Sequence, residues 1–330
     1  MIRWMLALLA AAALSGCATT AQGSAPPGSP VARHGALSVA GGKIVGAHGQ
    51  PVTLRGMALF WSQWAPQYYT AETVDWLASD WKVTAVRASI AAEGNDSARQ
   101  NFDRELAKAS TVIEAAARNG LYVIVDWHAH RPNPNEATRL LTAIARKYGH
   151  LPNLIYEPFN EPLRDGVDWS RDVKPYHEGV IRAIRAIDPD NLIVVGSPSW
   201  SQDVDIAARD PLAFDNSAYT LHYYAATHKD ELRAKADAAR TAGLALLVTE
   251  FGTVEATGNG PIDHESSEAW WRWAEANDVG WLAWSIGDRD ESSAALRPGA
   301  PPSGWTDAEL TENGRLLRAR LRAAAEAEER

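Results

Sequence analysis

Asn153-Leu154-Ile155-Tyr156-Glu157-Pro158-Phe159-Asn160-Glu161-Pro162 reads as a short apolar strand that stops abruptly in Asn-Glu-Pro. Pro162 has no N–H for a sheet ladder and biases Glu161 towards extended backbone, so the strand ends here. An amide and a carboxylate side by side at a strand's C-terminal end lie where an α/β barrel carries its chemistry. Asn-Glu-Pro alone decides little, because many strands end in polar residues. A second apolar strand that ends in acid decides more: Leu244-Ala245-Leu246-Leu247-Val248-Thr249-Glu250-Phe251-Gly252. Glu157 precedes Glu161 by four residues, so alternation sends both to one barrel face with Glu157 deeper. There it reads as a structural acid paired inside the barrel.

Outward from these two stretches, strand and helix patterns alternate along the chain. Strand patterns fall at 52–57, 83–89, 121–127, 154–157, 192–195, 218–221, 244–249 and 280–284. Helical periodicity falls at 71–79, 99–119, 136–148, 174–187, 234–242 and 265–276, with a last helix at 310–325. This order predicts an α/β fold, a single (β/α)₈ TIM barrel, rather than an open sheet. The pattern at 121–127 is apolar throughout, as strands buried on both faces are. Gly120 is placed to stop the helix before it. Residues 36–50, with turn signals at Gly41-Gly42 and at Gly46 to Gly49, predict an N-terminal hairpin that closes the barrel bottom.

The first residues read as an address. Arg3 precedes an apolar run from Met5 to Leu14 that is too short to span a membrane. Leu14-Ser15-Gly16-Cys17 resembles the lipobox of bacterial lipoproteins. That resemblance implies a signal peptide at 1–16, a lipidated Cys17 and membrane contact through the N-terminal lipid alone. Ala18, rather than an aspartate, implies the outer membrane. Residues 17–35, rich in Ala, Gly, Ser and Pro, are expected to be a flexible tether, leaving 36–330 as the barrel domain. Cys17 is the one cysteine of the chain, so no disulfide is expected.

Composition narrows the partners. A net charge of −9 without a basic stripe argues against nucleic acid. No cofactor is expected, and the protein is expected to be a monomer. The 14 tryptophans exceed what a core of this size asks for, which points to some of them as sugar-stacking faces.

The strand ends repeat the polar theme. Arg87, Asp126 to His128, His222 to Tyr224 and Trp284 all stand near the ends of strand patterns and would face one mouth. Glu161 and Glu250 at two of those ends suggest the paired carboxylates of glycoside hydrolysis. A rival is a metal hydrolase, because His128-Ala129-His130 has the look of a two-ligand zinc site. The other strand ends offer too few further ligands for it. A second rival is a non-catalytic glycan-binding barrel, against which both glutamates and their supports are present.

The order Arg87, His128, Asn160-Glu161-Pro162, His222 with Tyr224, Glu250 and Trp284 resembles glycoside hydrolase family 5, a retaining family with a (β/α)₈ barrel. Arg55-Gly56-Met57, Trp200 to Asp205 and Ser285 to Leu296 are similar to its bacterial endo-β-1,4-glucanases of the cellulase type. The resemblance covers residues 36–323. Phe60 stands where those cellulases commonly have His, and Arg289 where they commonly have Lys. The loop from Ala129 to Asn135 is short.

The resemblance implies Glu161 as acid/base and Glu250 as nucleophile, acting on a β-glucan or cello-oligosaccharide. Arg87 and Tyr224 would keep Glu250 ionised, while its charge and a partly apolar mouth would raise the pKa of Glu161. Asn160 would bond the sugar 2-OH, and His128 and His222 would hold hydroxyls or position the carboxyls. Trp64, Trp200, Trp284, Arg289 and Glu291 would bind substrate. The resemblance assigns His130 no role.

Overall fold

The computed structural model describes residues 25–163 and 165–328. A hairpin of β1 (Ser38–Ala40) and β2 (Lys43–Val45) precedes eight barrel strands. These are β3 (Arg55–Leu59), β4 (Ala85–Ala91), β5 (Tyr122–His128), β6 (Leu154–Glu157), β7 (Ile193–Val195), β8 (Ser217–Tyr224), β9 (Leu246–Gly252) and β10 (Gly280–Ile286). They close in the order β10-β3-β4-β5-β6-β7-β8-β9, every pair parallel. The principal helices between them are Phe102–Asn119, Pro134–Tyr148, Lys174–Arg185, Asp230–Thr241 and His264–Ala276, and Glu312–Glu328 follows the last strand. The predicted TIM barrel is the observed one.

Strand boundaries sit later than the apolar pattern suggests. Val52 and Leu54 precede β3 rather than belonging to it, and are apolar because they seal the barrel's lower end. With them in that seal are Leu37 and Ile44 of the hairpin region, Leu192 just before β7, and Tyr122, Ile124, Ile155, Leu247 and Leu282 from the strands. The hairpin therefore closes the bottom as expected. At the other end β8, β9 and β10 run on to Tyr224, Gly252 and Ile286, so His222, Glu250 and Trp284 lie within strands.

Two glycines explain close approaches. A Cβ on Gly56 would lie 1.9 Å from the Ala85 carbonyl oxygen, so only glycine lets β3 pack so closely on β4. Gly120 takes φ +64° after the helix Phe102–Asn119, as a left-handed cap should. The helix expected at 71–79 is α-helical over Ala71–Trp76 and continues as a wider turn over Leu77–Trp81, which buries Leu77 and Trp81.

The tether needs correction. Residues 25–35 were expected to be flexible, yet Pro30–His34 is a helix with Ser29 as its N-cap. Val31 is buried and its N–H donates to the Gly120 carbonyl at 2.9 Å, docking this segment on the lower end of β5. The expected signal peptide and Cys17 lie outside the described residues.

One irregularity positions chemistry. Along β8 the step from Thr220 to His222 is matched on β9 by Leu247 to Glu250. Along β10 the step from Trp281 to Ala283 is matched by Val248 to Phe251. Both neighbours thus see one extra residue in β9, a bulge. It lets Thr249 and Glu250, adjacent in sequence, both bond to groups in the barrel interior.

Candidate active site

Arg87, midway along β4, is fully buried and ties the site together. Its Nε and Nη2 donate to the two oxygens of Glu157 at 2.8 and 3.1 Å, its Nη1 to Glu250 at 3.0 Å and its Nη2 to Asn160 Oδ1 at 2.6 Å. Asp126 lies 2.9 Å from Nη2. Burial disfavours a guanidinium charge, but three carboxylates around it hold the pKa above its ordinary value. Glu157 is thus the paired structural acid its depth implied.

Glu250 accepts from Arg87 and, at 3.0 Å, from the Tyr224 hydroxyl. Glu161 is bracketed by imidazoles, with His222 Nδ1 2.9 Å from Oε1 and His130 Nε2 3.2 Å from Oε2. One carboxylate oxygen of Glu161 lies within 4.8 Å of one of Glu250.

The electrostatics reverse the expectation for these two acids. Burial pushes the Glu161 carboxyl up, but the hydrogen bonds from His130 and His222 outweigh it and hold the pKa down to about 2. Burial and then the Glu161 charge push Glu250 up, against His222, Arg87 and Tyr224. The expectation counted the neighbouring anion and the apolar mouth, and it missed that two imidazoles flank one carboxylate.

The hydrogen-bond inventory locates the proton. Thr249 Oγ1 donates its one hydrogen to Glu157 at 2.8 Å, so His222 Nε2, 2.9 Å from that oxygen, must be an N–H donor. His222 Nδ1 and Glu161 Oε1 then need one proton between them. Burial lowers the His222 pKa, but the Glu157 carboxylate 3.7 Å away and the bond to Glu161 carry it to about 9. With the Glu161 pKa lowered and that of His222 raised, the resting site favours that proton on His222.

His128 is different. Its Nδ1 lies 2.6 Å from Asp126 Oδ2, and burial followed by the charge of Arg87 holds it well below the usual imidazole range. A neutral ring hydrogen-bonded through Nδ1 to Asp126 is fixed in orientation. It stacks on Trp284, with centroids 5.2 Å apart and planes 7° apart. His128 and His130 therefore turn to separate partners, Asp126 and Glu161, with ring centroids 6.4 Å apart. They do not form the two-ligand metal pair their spacing suggested.

Above the acids is a cavity of about 520 Å³, lined among others by His130, Glu161, Trp200, Tyr224, His228 and Glu250. Trp200 is 40% exposed on a left-handed turn in which Ser199, Trp200 and Ser201 have φ of 58°, 56° and 59°. Such backbone is costly for residues with a Cβ and persists where neighbours over-determine it. Here Trp200 N–H donates to the Pro162 carbonyl at 3.0 Å, and Ser201 Oγ to the Asn160 carbonyl at 2.7 Å. The indole platform is thereby tied to the Asn160-Glu161-Pro162 segment.

Trp64 is 51% exposed and packs on Trp61 at 5.0 Å and Phe60 at 6.3 Å; Phe60 in turn packs on Trp284 at 5.2 Å. Trp284 is almost wholly buried at the base of this aromatic strip. Arg289 is exposed in the loop after β10, and Glu291 is half-buried beside Ser293 and Gly258. The Nδ2 of Asn160 is buried without a protein partner, a donor left free to meet a ligand.

Three residues were not foreseen as parts of the site: His130, Trp61 and His228. His130 follows Asp126 and His128 at the same spacing of two, just past the end of β5, and that spacing was its available signal. His228 reaches the site by bonding the Tyr224 N–H from the following loop, which no local pattern announces.

Residues 45–290 match the family model described as Cellulase (glycosyl hydrolase family 5). Endoglucanase Z of Dickeya dadantii is 44% identical over 287 residues, covering 86% of this chain and 65% of that protein. Endoglucanase N of Pectobacterium atrosepticum is 40% identical over 311 residues, covering 92% and 69%. The chain spans only 58–65% of the length of the first curated relatives it matches. The catalytic domain of Thermobifida fusca endoglucanase Cel5A superposes with a TM-score of 0.85 at 33% identity, covering 89% of this chain and 100% of that domain. A variant of that domain is known in complex with cellotetraose. With most of its length matched to the family model and its barrel superposing on a solved member, this chain belongs to glycosyl hydrolase family 5.

Proposed function

We propose that this protein is a retaining endo-β-1,4-glucanase, with Glu250 as nucleophile and Glu161 as acid and then base. The observation that carries the reading is the 4.8 Å limit on the gap between their carboxylate oxygens. Retaining enzymes hold the two carboxyl groups about 5–5.5 Å apart, whereas inverting enzymes leave about 6.5–9.5 Å for a water. In the first half-reaction Glu250 attacks the anomeric carbon while Glu161 protonates the departing oxygen. A proton moved onto Glu161 also removes the charge that pushes Glu250 up, so arming the acid and ionising the nucleophile are one coupled event. In the second, Glu161 takes a proton from water, which displaces Glu250. Arg87 and Tyr224 steady the nucleophile, and the free Asn160 amide faces the sugar 2-OH.

Support for the substrate comes from the relatives' names as endoglucanases and from the cellotetraose complex of the Thermobifida fusca domain. Exposed Trp64 and Trp200 offer flat faces for the C–H faces of β-linked glucose. We expect endo cleavage of soluble β-1,4-glucan, with viscosity falling faster than reducing ends appear. A panel of carboxymethyl cellulose, mixed-linkage glucan, glucomannan, xyloglucan and mannan tests this. Best kcat/KM on a soluble glucan is the expected result, and a higher value on mannan than on any glucan overturns the substrate assignment. We further propose that Cys17 is lipidated and anchors the enzyme at the outer membrane.

A further inference from the structure

Glu161 has two oxygens, and the two imidazoles that hold them differ in kind. His222, on Oε1, is 1% exposed and locked through Thr249 to Glu157. His130, on Oε2, is 32% exposed and lines the same cavity as Trp200. Both imidazoles line that cavity, but Oε2 is held by the more exposed of the two, and a glycosidic oxygen that takes a proton from Oε2 must compete with His130 Nε2 for the same site. The seat of His130 is nonetheless firm. Its N–H and that of Arg131 donate to Glu93 Oε1 at 3.2 and 2.8 Å, and its ring lies over Trp61 with centroids 5.5 Å apart.

We propose that His130 is a positioning residue that keeps a proton at Glu161 Oε2 and delivers it to that oxygen when a sugar enters the leaving-group side. The proposal rests on Glu161 being the acid. The Nε2 proton passes to Oε2, leaving a neutral imidazole and a neutral carboxylic acid. As the C–O bond breaks, the proton goes to the departing oxygen. When water later adds its hydroxyl to the anomeric carbon, its proton returns to Glu161 and thence to His130, so the cycle closes without net change.

The charged surroundings favour the stored proton. Glu161, Glu93 and Glu250 face the ring from the ends of β6, β4 and β9, and His128 is the neighbouring imidazole on β5. Burial pushes the His130 pKa down, but the Glu161 bond and then the charges of Glu161, Glu93 and Glu250 leave it raised. Because the pKa is raised, the proton is held to higher pH than on an ordinary imidazole and is lost as pH rises.

The test is the pH profile of kcat/KM for wild type and His130→Gln, on cellotetraose and on dinitrophenyl β-cellobioside. Glutamine still donates a hydrogen bond but does not titrate. On cellotetraose we expect wild type to fall along an alkaline limb, with His130→Gln about tenfold lower near pH 6 and lacking that limb. The two profiles should converge at high pH. On the dinitrophenyl substrate, whose leaving group needs no proton, they should coincide. An unchanged alkaline limb in His130→Gln overturns the proposal, as does an equal loss on both substrates. In the wild type alone, an alkaline limb of equal size on both substrates overturns it without any variant. Failure of the wild type to cleave either substrate overturns the acid–base assignment itself, and this inference with it.

Discussion

Arg87 carries one positive charge among three buried carboxylates, and its forked geometry reaches Glu157, Glu250 and Asn160 at once. Arg87→Met should leave those charges uncompensated and destabilise the protein by about 3–5 kcal/mol in urea unfolding. Arg87→Lys should recover little of the activity, because an ammonium cannot fork. A lysine variant with wild-type kcat would show that only the charge matters. At this scale most of the site was legible, since Arg87, Glu161, His222 and Glu250 announced themselves as polar endings to apolar runs. The protonation order was not. It depends on His130, from the loop after β5, and His222, from β8, arriving at one carboxylate, and no local pattern encodes that meeting.

Simple alternation would turn either Thr249 or Glu250 away from the barrel axis, and the bulge in β9 turns neither away. Thr249→Val tests this element. If Thr249 faces inward, as its bonds to Glu157, His222 and Thr220 show, valine strands three buried polar groups and should cost about 1–3 kcal/mol. An outward-facing Thr249 would tolerate valine with no loss in the urea midpoint. The strand itself was legible as an apolar run, but its register was not. Bulges follow from how a strand fits both neighbours, whereas the sequence displays only its own period. The left-handed turn at Ser199 to Ser201 was hidden for a similar reason: nothing in Pro-Ser-Trp-Ser demands positive φ, and the hydrogen bonds to Pro162 and Asn160 impose it.

Across the whole molecule, the segment entering from Ala25 docks on the barrel bottom while the carboxylates open at the opposite, C-terminal ends of the strands. An anchor at Cys17 would hold the enzyme by its closed end and leave the mouth facing away. Expressed with its N-terminal segment, the protein should partition with membranes, and Cys17→Ser should release it or stall its processing. A native form that is wholly soluble and begins after Ala18 contradicts the anchor. Eight alternations of strand and helix made the barrel legible, because each apolar run had a crossover helix beside it. The docked Pro30–His34 helix escaped notice because five residues are too few for periodicity, and its cap and seat come from Ser29 and Gly120.

The measurement that bears most directly on the double displacement is azide rescue of the two glutamate variants, read as product stereochemistry. Glu250→Ala should be nearly inert until azide or formate restores turnover, and azide should give the α-glycosyl product, inverted from the β-linked substrate. Glu161→Ala should still form the glycosyl-enzyme from an activated aryl cellobioside, and azide should then yield the β-glycosyl azide. Rescue with the two anomers exchanged would contradict the assignment of nucleophile and acid.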